Sequence, residues 1–284
     1  MILSIVTINW NNATGLEKTM HSVASQTFKE FEYIVIDGGS TDDSVNVIKA
    51  HESDFAHLKW VSERDSGIYN AMNKGIRMAS GDYIQILNSG DCLAAPDVTE
   101  QMLKTLKEKG SPSILYGNMV KCFPDGRRLV DKCFAGQEIT MLGMYTGTLN
   151  HDPAYIHRDL FEKYGYYDDS LKIVSDWKWY LQAIIFGGEK PKYEDLDVTL
   201  FDMTGISENG GQNRSLIDHE KRTVLEQLIN PQFLQDYDNY ASDIYFMRRI
   251  RRHRIAFKLV WFIERVLFKI EKNRNKRLGI QKWE

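Results

Sequence analysis

Four times in its first 110 residues this chain repeats one pattern: a short apolar run ends in a polar cluster and then gives way to residues spaced for a helix. The runs are Ile2 to Asn9, Phe31 to Asp37, Leu58 to Glu63 and Tyr83 to Leu87. The helical stretches are Leu16 to Gln26, Asp43 to Glu52, Tyr69 to Ala79 and Asp97 to Lys109. Strands that alternate with helices cannot pair as hairpins. They predict an α/β fold with a mostly parallel, Rossmann-like central sheet flanked by helices. In such sheets ligands bind beyond the carboxyl ends of the strands, and polar residues collect there in this chain: Asn9, Asn11 and Asn12; Asp37 to Asp42; Glu63 to Asp65; Asn88 to Asp91.

A chain of 284 residues with 43% hydrophobic content has enough apolar surface for one large domain or two closely packed halves. Three cysteines, Cys92, Cys122 and Cys133, show neither disulfide-framework nor zinc spacing, as expected of a reducing compartment such as the cytoplasm. The apolar start, Met1 to Asn12, has no basic leader and reads as a strand rather than a signal peptide. No apolar run reaches the roughly 20 residues needed to span a bilayer. We expect a soluble protein, or one bound to a membrane surface.

The net charge of -3 hides an asymmetry. Arg248 to Glu284 carries 13 Lys and Arg against 3 Asp and Glu, so a tail of +10 follows a body of -13. Within the tail Ile255, Leu259, Phe262, Val266 and Ile270 recur at helical spacing among Arg254, Lys258, Arg265, Lys269 and Lys272. Such a helix suits an anionic lipid surface, but also packing on its own domain or on a second copy in a homodimer. The acidic body and the absence of a recognition motif argue against nucleic acid. The expected division is residues 1–120 and 121–240 as two halves of one domain, with 241–284 as a helical tail.

Several clusters carry chemistry. Asp37-Gly38-Gly39-Ser40-Thr41-Asp42 places a carboxylate and flexible backbone at a strand-to-helix junction, where it can meet a ligand or merely cap the next helix. Asn88-Ser89-Gly90-Asp91 is good turn chemistry, yet its lone carboxylate also suits Mg²⁺ or Mn²⁺. Ser175-Asp176 can cap a helix over Trp177 to Phe186 or supply a base. His151 is a core histidine or a ligand contact, and Ser207 to Asn213 is a surface loop or a lid.

Taken together, Thr7-Ile8-Asn9, Asp37 to Asp42, Ser62 to Gly75, Ala79 to Ile84 and Leu87 to Asp91 resemble the family 2 glycosyltransferases. The likeness is dense from Leu3 to Pro96 and sparser through His151, Arg158 to Tyr166 and Ser175-Asp176. Within the family it is greatest to enzymes of bacterial surface polysaccharide assembly. The resemblance implies a GT-A fold, a nucleotide-sugar donor with UDP as the default, a glycan or lipid-linked acceptor, and Mn²⁺ or Mg²⁺. It places Thr7, Asn9, Asp37 and Asp65 around the nucleoside, Asn73 and Asn88 near the sugar or phosphates, Asp91 on the metal, Asp176 as base and His151 beside the reacting groups. Asn88 and Gly90 stand where the family commonly has acids, leaving Asp91 alone there. Two other readings remain open from the residues themselves. A nucleotidyltransferase would usually show a Gly-rich loop with Lys or Arg in its first turn, absent from Asn9 to Thr14; the reduced acidity of Asn88 to Asp91 favours a silent nucleotide-binding scaffold, while the presence of Asp37, Asp65, Asp91 and Asp176 argues against it.

Overall fold

The computed structural model describes residues 2–204 and 213–278. Most of Ser207 to Asn213, the expected lid, lies outside these. The first half follows the expected order: β1 (Leu3–Asn9), α1 (Ala13–Ala24), β2 (Glu32–Asp37), α2 (Ser44–Ala50), β3 (Leu58–Ser62), α3 (Ile68–Met78), β4 (Tyr83–Asn88), β5 (Cys92–Leu93) and α4 (Val98–Glu108). Then come β6 (Ile114–Cys122), β7 (Arg128–Asp131), α5 (Met141–Thr146), β8 (Ala154–His157), α6 (Asp159–Tyr164), α7 (Ser175–Tyr180), β9 (Lys192–Asp202) and α8 (Arg214–Leu228).

The sheet runs β3-β2-β1-β4-β8-β6-β9-β5, with β7 on the outer end of β6. Its first four strands are parallel, the predicted α/β pattern. Beyond β4 it turns mixed, because β8 pairs antiparallel to both β4 and β6 while β9 runs parallel to β6. The chain leaves β1 toward β2 and β3 and returns through α3 to β4 on the other side of β1. That reversal opens a crevice at the carboxyl ends of β1 and β4.

Both faces of the parallel half are covered. Leu3, Ile5, Tyr33 and Val35 pack against Leu16, Met20 and Val23 of α1, Ile48 of α2 and Met102 and Leu106 of α4. On the other face α3 approaches closely enough that a Cβ on Gly75 would lie 2.2 Å from Val6 Cγ1. Only glycine permits that spacing. At the amino ends of the strands Glu32 accepts hydrogen bonds from Ser4 Oγ (2.6 Å), Ser80 N (2.7 Å) and Ser80 Oγ (3.0 Å), and it pairs with Lys59. The Ala79-Ser80-Gly81 part of the family pattern is thus a structural knot at the end of the sheet opposite the crevice.

Compact packing divides the chain after Gln227. The second unit holds α9 (Pro231–Arg251) and α10 (Arg254–Leu278), so α9, half of it assigned above to the body, groups with the tail. No helix among the described residues is long and apolar enough to cross a membrane.

Candidate active site

Register brings the polar strand ends into one row. Asn9 pairs with Asp37, Asp37 with Ser62, and Ile8 with Asn88. Asp37 Oδ1 accepts from Asn9 Nδ2 (2.8 Å) and Ser40 Oγ (2.5 Å), and its Oδ2 accepts from Ser40 N (2.9 Å) and Ser62 Oγ (2.6 Å). Burial pushes this carboxyl up, but the four donors win and hold it below its ordinary range. Asp37 is therefore fully buried and saturated, and it shapes the crevice through Asn9 and Ser40 instead of facing it. Asn9 Oδ1 is left buried without a partner among the described residues.

The loops above this row latch onto each other. Asn11, held at φ 46°, donates its N–H to Ser40 Oγ (2.7 Å) and accepts from Thr41 N (2.8 Å). Asn12 caps α1 through Gly15 N (3.1 Å) and donates to Ser89 O (3.1 Å). Asp42, one residue before the α2 cap position Asp43, accepts from Ala13 N (2.9 Å) and Ser44 N (3.1 Å), while Ser40 bonds Asn11 N and Asp37 instead of the helix. Gly39 at φ 73° makes the turn that brings Ser40 back. Asp65, ion-paired with Lys74 (2.5 Å), stands 3.1 Å from where a Cβ on Gly38 would be, and Trp10 lies at 3.3 Å from the same point. Trp10 is 65% exposed at the end of β1, an aromatic face that the sequence reading passed over.

Two residues expected at the donor, Thr7 and Asn73, are engaged within the fold. Thr7 is fully buried, and its hydroxyl accepts from Tyr33 OH (3.0 Å). Asn73 is buried too: its Nδ2 donates to Tyr167 O (2.8 Å) and its Oδ1 accepts from Tyr167 N (3.0 Å). Its amide ties α3 to the second half of the body.

Beyond β4 the structure gathers Asn88, Asp91, His151, Asp152 and Asp176. The Asn88 to Asp91 turn is held by Thr19 of α1, whose hydroxyl takes Gly90 N (2.9 Å) and donates to Asp91 O (2.7 Å). Asp91 Oδ1 accepts from Asp202 N (2.8 Å). Burial, and next the nearby Asp152 carboxylate, push Asp91 well above the ordinary carboxylate range. Asp152 moves the same way for the same first reason. His151 Nδ1 lies 3.0 Å from Asp176 Oδ2, and its Nε2 lies 3.5 Å from Asp152 Oδ1. Burial alone would lower the His151 pKa, but the Asp152 and Asp176 carboxylates raise it to about 9. The carboxylates thus favour the protonated imidazole.

Asp176 Oδ1 accepts from Tyr69 OH (3.1 Å) and from Trp177 N (2.9 Å). Ser175 and Asp176 form the first turn of α7, preceded by Val174 with no side-chain cap, so Asp176 is not the helix cap. The helix expected over Trp177 to Phe186 instead begins at Ser175 and turns π-helical over Leu181–Phe186. The preceding loop is anchored by Glu220 of α8, which accepts from Lys172 N (2.7 Å), Ile173 N (3.0 Å) and Val174 N (3.2 Å). Trp177 and Trp179, donating to Met144 O and Gly165 O, fix α7 from the other side. Tyr69, Asp152 and Glu220 were missed by sequence reasoning. Tyr69 and Asp152 each adjoin a residue or motif already singled out; Glu220, in a polar helix, gives no local signal.

Among the described residues no set of three His, Cys, Asp or Glu side chains is arranged as a metal cage. The Asp91 and Asp152 carboxyls, hard oxygen donors side by side, suit a divalent ion that completes its shell from water and phosphate.

Residues 4–165 match the model of the Glycosyl transferase family 2. The chain is 33% identical over 263 residues to an uncharacterized glycosyltransferase of Mycobacterium tuberculosis, covering 87% of this chain and 95% of that protein. It is 23% identical over 220 residues to a PGL/p-HBAD biosynthesis glycosyltransferase of Mycobacterium bovis, covering 77% and 82%. Among solved structures it resembles S. aureus TarS 1-349 in complex with UDP-GlcNAc (TM-score 0.63, 16% identity, 90% and 78% covered). It spans 44% of the longer TarS chain. The mannosyltransferase PcManGT from Pyrobaculum calidifontis, in complex with GDP-Man and Mn²⁺, gives a TM-score of 0.62 at 15% identity, with 96% and 83% covered. The fold is thus that of the GT-A enzymes, and by its family match and its relatives the chain belongs to glycosyltransferase family 2 and is a glycosyltransferase.

Proposed function

We propose that this enzyme moves a sugar from a nucleoside diphosphate donor, a UDP-sugar by default, to an acceptor hydroxyl with inversion, in polysaccharide or lipid-linked glycan synthesis. The observation that carries this reading is the Asp176 carboxylate. It is held by His151, Tyr69 and the Trp177 N–H. An inverting displacement needs a base on the acceptor side, and Asp176 takes the hydroxyl proton as the acceptor oxygen attacks the anomeric carbon. The protonated His151 keeps that carboxylate in place and adds positive charge near the departing diphosphate. Trp10 offers a stacking face for the base, Asn9 and Asp65 polar contacts to the nucleoside, and Asn88 one to the sugar or phosphates. Asp91 would hold Mn²⁺ or Mg²⁺, which neutralises charge on the leaving diphosphate when bound. UDP, UDP-GlcNAc and GDP-Man in the solved relatives support the donor class, and Mn²⁺ in one supports the ion.

The tail supports a cytoplasmic enzyme working at the inner face of a membrane. On α10, Ile255, Leu259, Phe262, Leu267 and Ile270 are exposed, and Arg254, Lys258, Arg265, Lys269 and Lys272 form a stripe beside them. A helix of that kind lies in an anionic interface, where a lipid-linked acceptor is found.

The deciding experiment is nucleoside diphosphate release from a panel of UDP-, GDP- and dTDP-sugars with Mn²⁺, on the wild type and Asp176→Asn. Turnover of one donor class that Asp176→Asn abolishes while donor still binds supports the reading. Equal release by both proteins removes Asp176 as the base.

A further inference from the structure

The Asn88 to Asp91 turn carries one acid where the family commonly has more, yet the fold places a second carboxyl beside it. We propose that Asp152 is the second protein carboxylate of the divalent-cation site, supplied by the segment before β8 in place of the acids missing at Asn88 and Gly90. This rests on the reading that Asp91 holds the ion.

Asp91 and Asp152 are 4% and 2% exposed, and both meet Asn88: Asp91 N donates to Asn88 O (3.1 Å) and Asn88 Nδ2 reaches Asp152 Oδ1 (3.3 Å). Two buried carboxyls in contact need a shared proton or a cation to lie together. The positive group facing them is His151, and Asp176 and Asp202 also bear on the pair, so acid outnumbers base here. A second observation is independent of that count. Asn88 donates Nδ2 to Asp152 Oδ1 (3.3 Å), while its own Oδ1 is buried with no partner among the described residues, an acceptor left over at the same spot.

Asp152 is also rigidly placed. Its carbonyl accepts from Gln85 Nε2 of β4 (2.8 Å), and the next carbonyl, of Pro153, accepts from Gly117 N of β6 (3.1 Å). Two fixed carboxylates from separate loops, completed by water and phosphate oxygens, would make a shell that a small hard ion accepts. The ion would then have little affinity for the protein alone and bind with the diphosphate.

The test measures Mn²⁺ uptake by electron paramagnetic resonance with UDP, and in a second series GDP, on wild type, Asp91→Asn and Asp152→Asn, alongside apo melting temperatures. We expect Asp152→Asn to weaken Mn²⁺ binding at least tenfold while the apo protein melts no lower than wild type, since the amide keeps the shape and polar contacts of the carboxyl without its charge. Wild-type Mn²⁺ affinity in Asp152→Asn, with binding lost in Asp91→Asn, overturns the proposal and leaves the Asp91 reading standing. Lost binding together with a lower apo melting temperature makes Asp152 a structural acid and also overturns it. Unchanged binding in Asp91→Asn, or no Mn²⁺ uptake by the wild type with either diphosphate, removes the Asp91 reading and this proposal with it.

Discussion

His151 Nδ1 and Asp176 Oδ2 stand 3.0 Å apart, although 25 residues separate them in the chain. The imidazole is clamped between two carboxylates, Asp152 on one nitrogen and Asp176 on the other. The carboxylate proposed as the base is thereby oriented before substrate arrives, which is what a proton transfer timed to bond formation requires.

Asp176→Asn preserves shape and most hydrogen bonds but cannot accept the acceptor proton. Its kcat should fall by about 10²- to 10⁴-fold with donor affinity within a factor of about three. Turnover and donor titration on the same preparation check this; a loss confined to donor affinity would move Asp176 to a binding role.

His151 makes stability depend on pH. Its folded pKa is raised from 6.5 to about 9, so its ion pairs contribute fully below pH 6.5 and are lost as pH rises through 9. A shift of that size corresponds to about 3 kcal/mol. Urea unfolding at pH 6 and pH 10 should show the wild type losing stability with rising pH, and His151→Gln losing markedly less. Equal slopes in both proteins would place the pH dependence elsewhere.

Trp10→Ala removes an exposed ring and should leave the apo melting temperature almost unchanged. Nucleoside diphosphate affinity should drop by about 1–3 kcal/mol if the ring stacks on the base. Calorimetry against UDP and GDP reads it directly.

Glu32→Ala strands Ser4, Ser80 and Lys59 at the far end of the sheet. We expect a loss of about 3 kcal/mol in unfolding free energy, with kcat little changed in the folded protein. A matching loss of kcat would show that this knot also shapes the crevice.

Phe262→Glu with Leu267→Glu places charge in the apolar face of α10. Cosedimentation with vesicles containing phosphatidylglycerol should fall at least tenfold, and raising the salt should weaken wild-type binding as well. If the paired variant instead changes oligomeric state in sedimentation and leaves vesicle binding intact, the stripe is a dimer seam.

The parallel half of this protein could be read from its residues because the information there is local. A strand ending at Asn9 or Asp37 and a helix beginning near Ser44 are dictated by side chains within a few positions, and parallel pairing in register then aligns those ends without further instruction. The roles of single residues in the row were less legible. Asp37 and Asn73 look alike as polar residues in a motif, yet one saturates itself on neighbouring hydroxyls and the other binds the backbone of Tyr167, 94 residues on. Only packing distinguishes them.

What tertiary structure alone decided is the cluster around Asp152 and Asp176. Asp152 meets Asp91 because β8 inserts antiparallel beside β4, and Tyr69 meets Asp176 because α3 and α7 converge across a gap of 107 residues. Glu220 steadies the loop before Asp176 from a helix whose sequence is merely polar. Local propensity specifies which residues end a strand or open a helix. Which distant carboxyl then comes to lie against another is set by long-range burial, where a charge survives only beside the partner the whole fold brings to it.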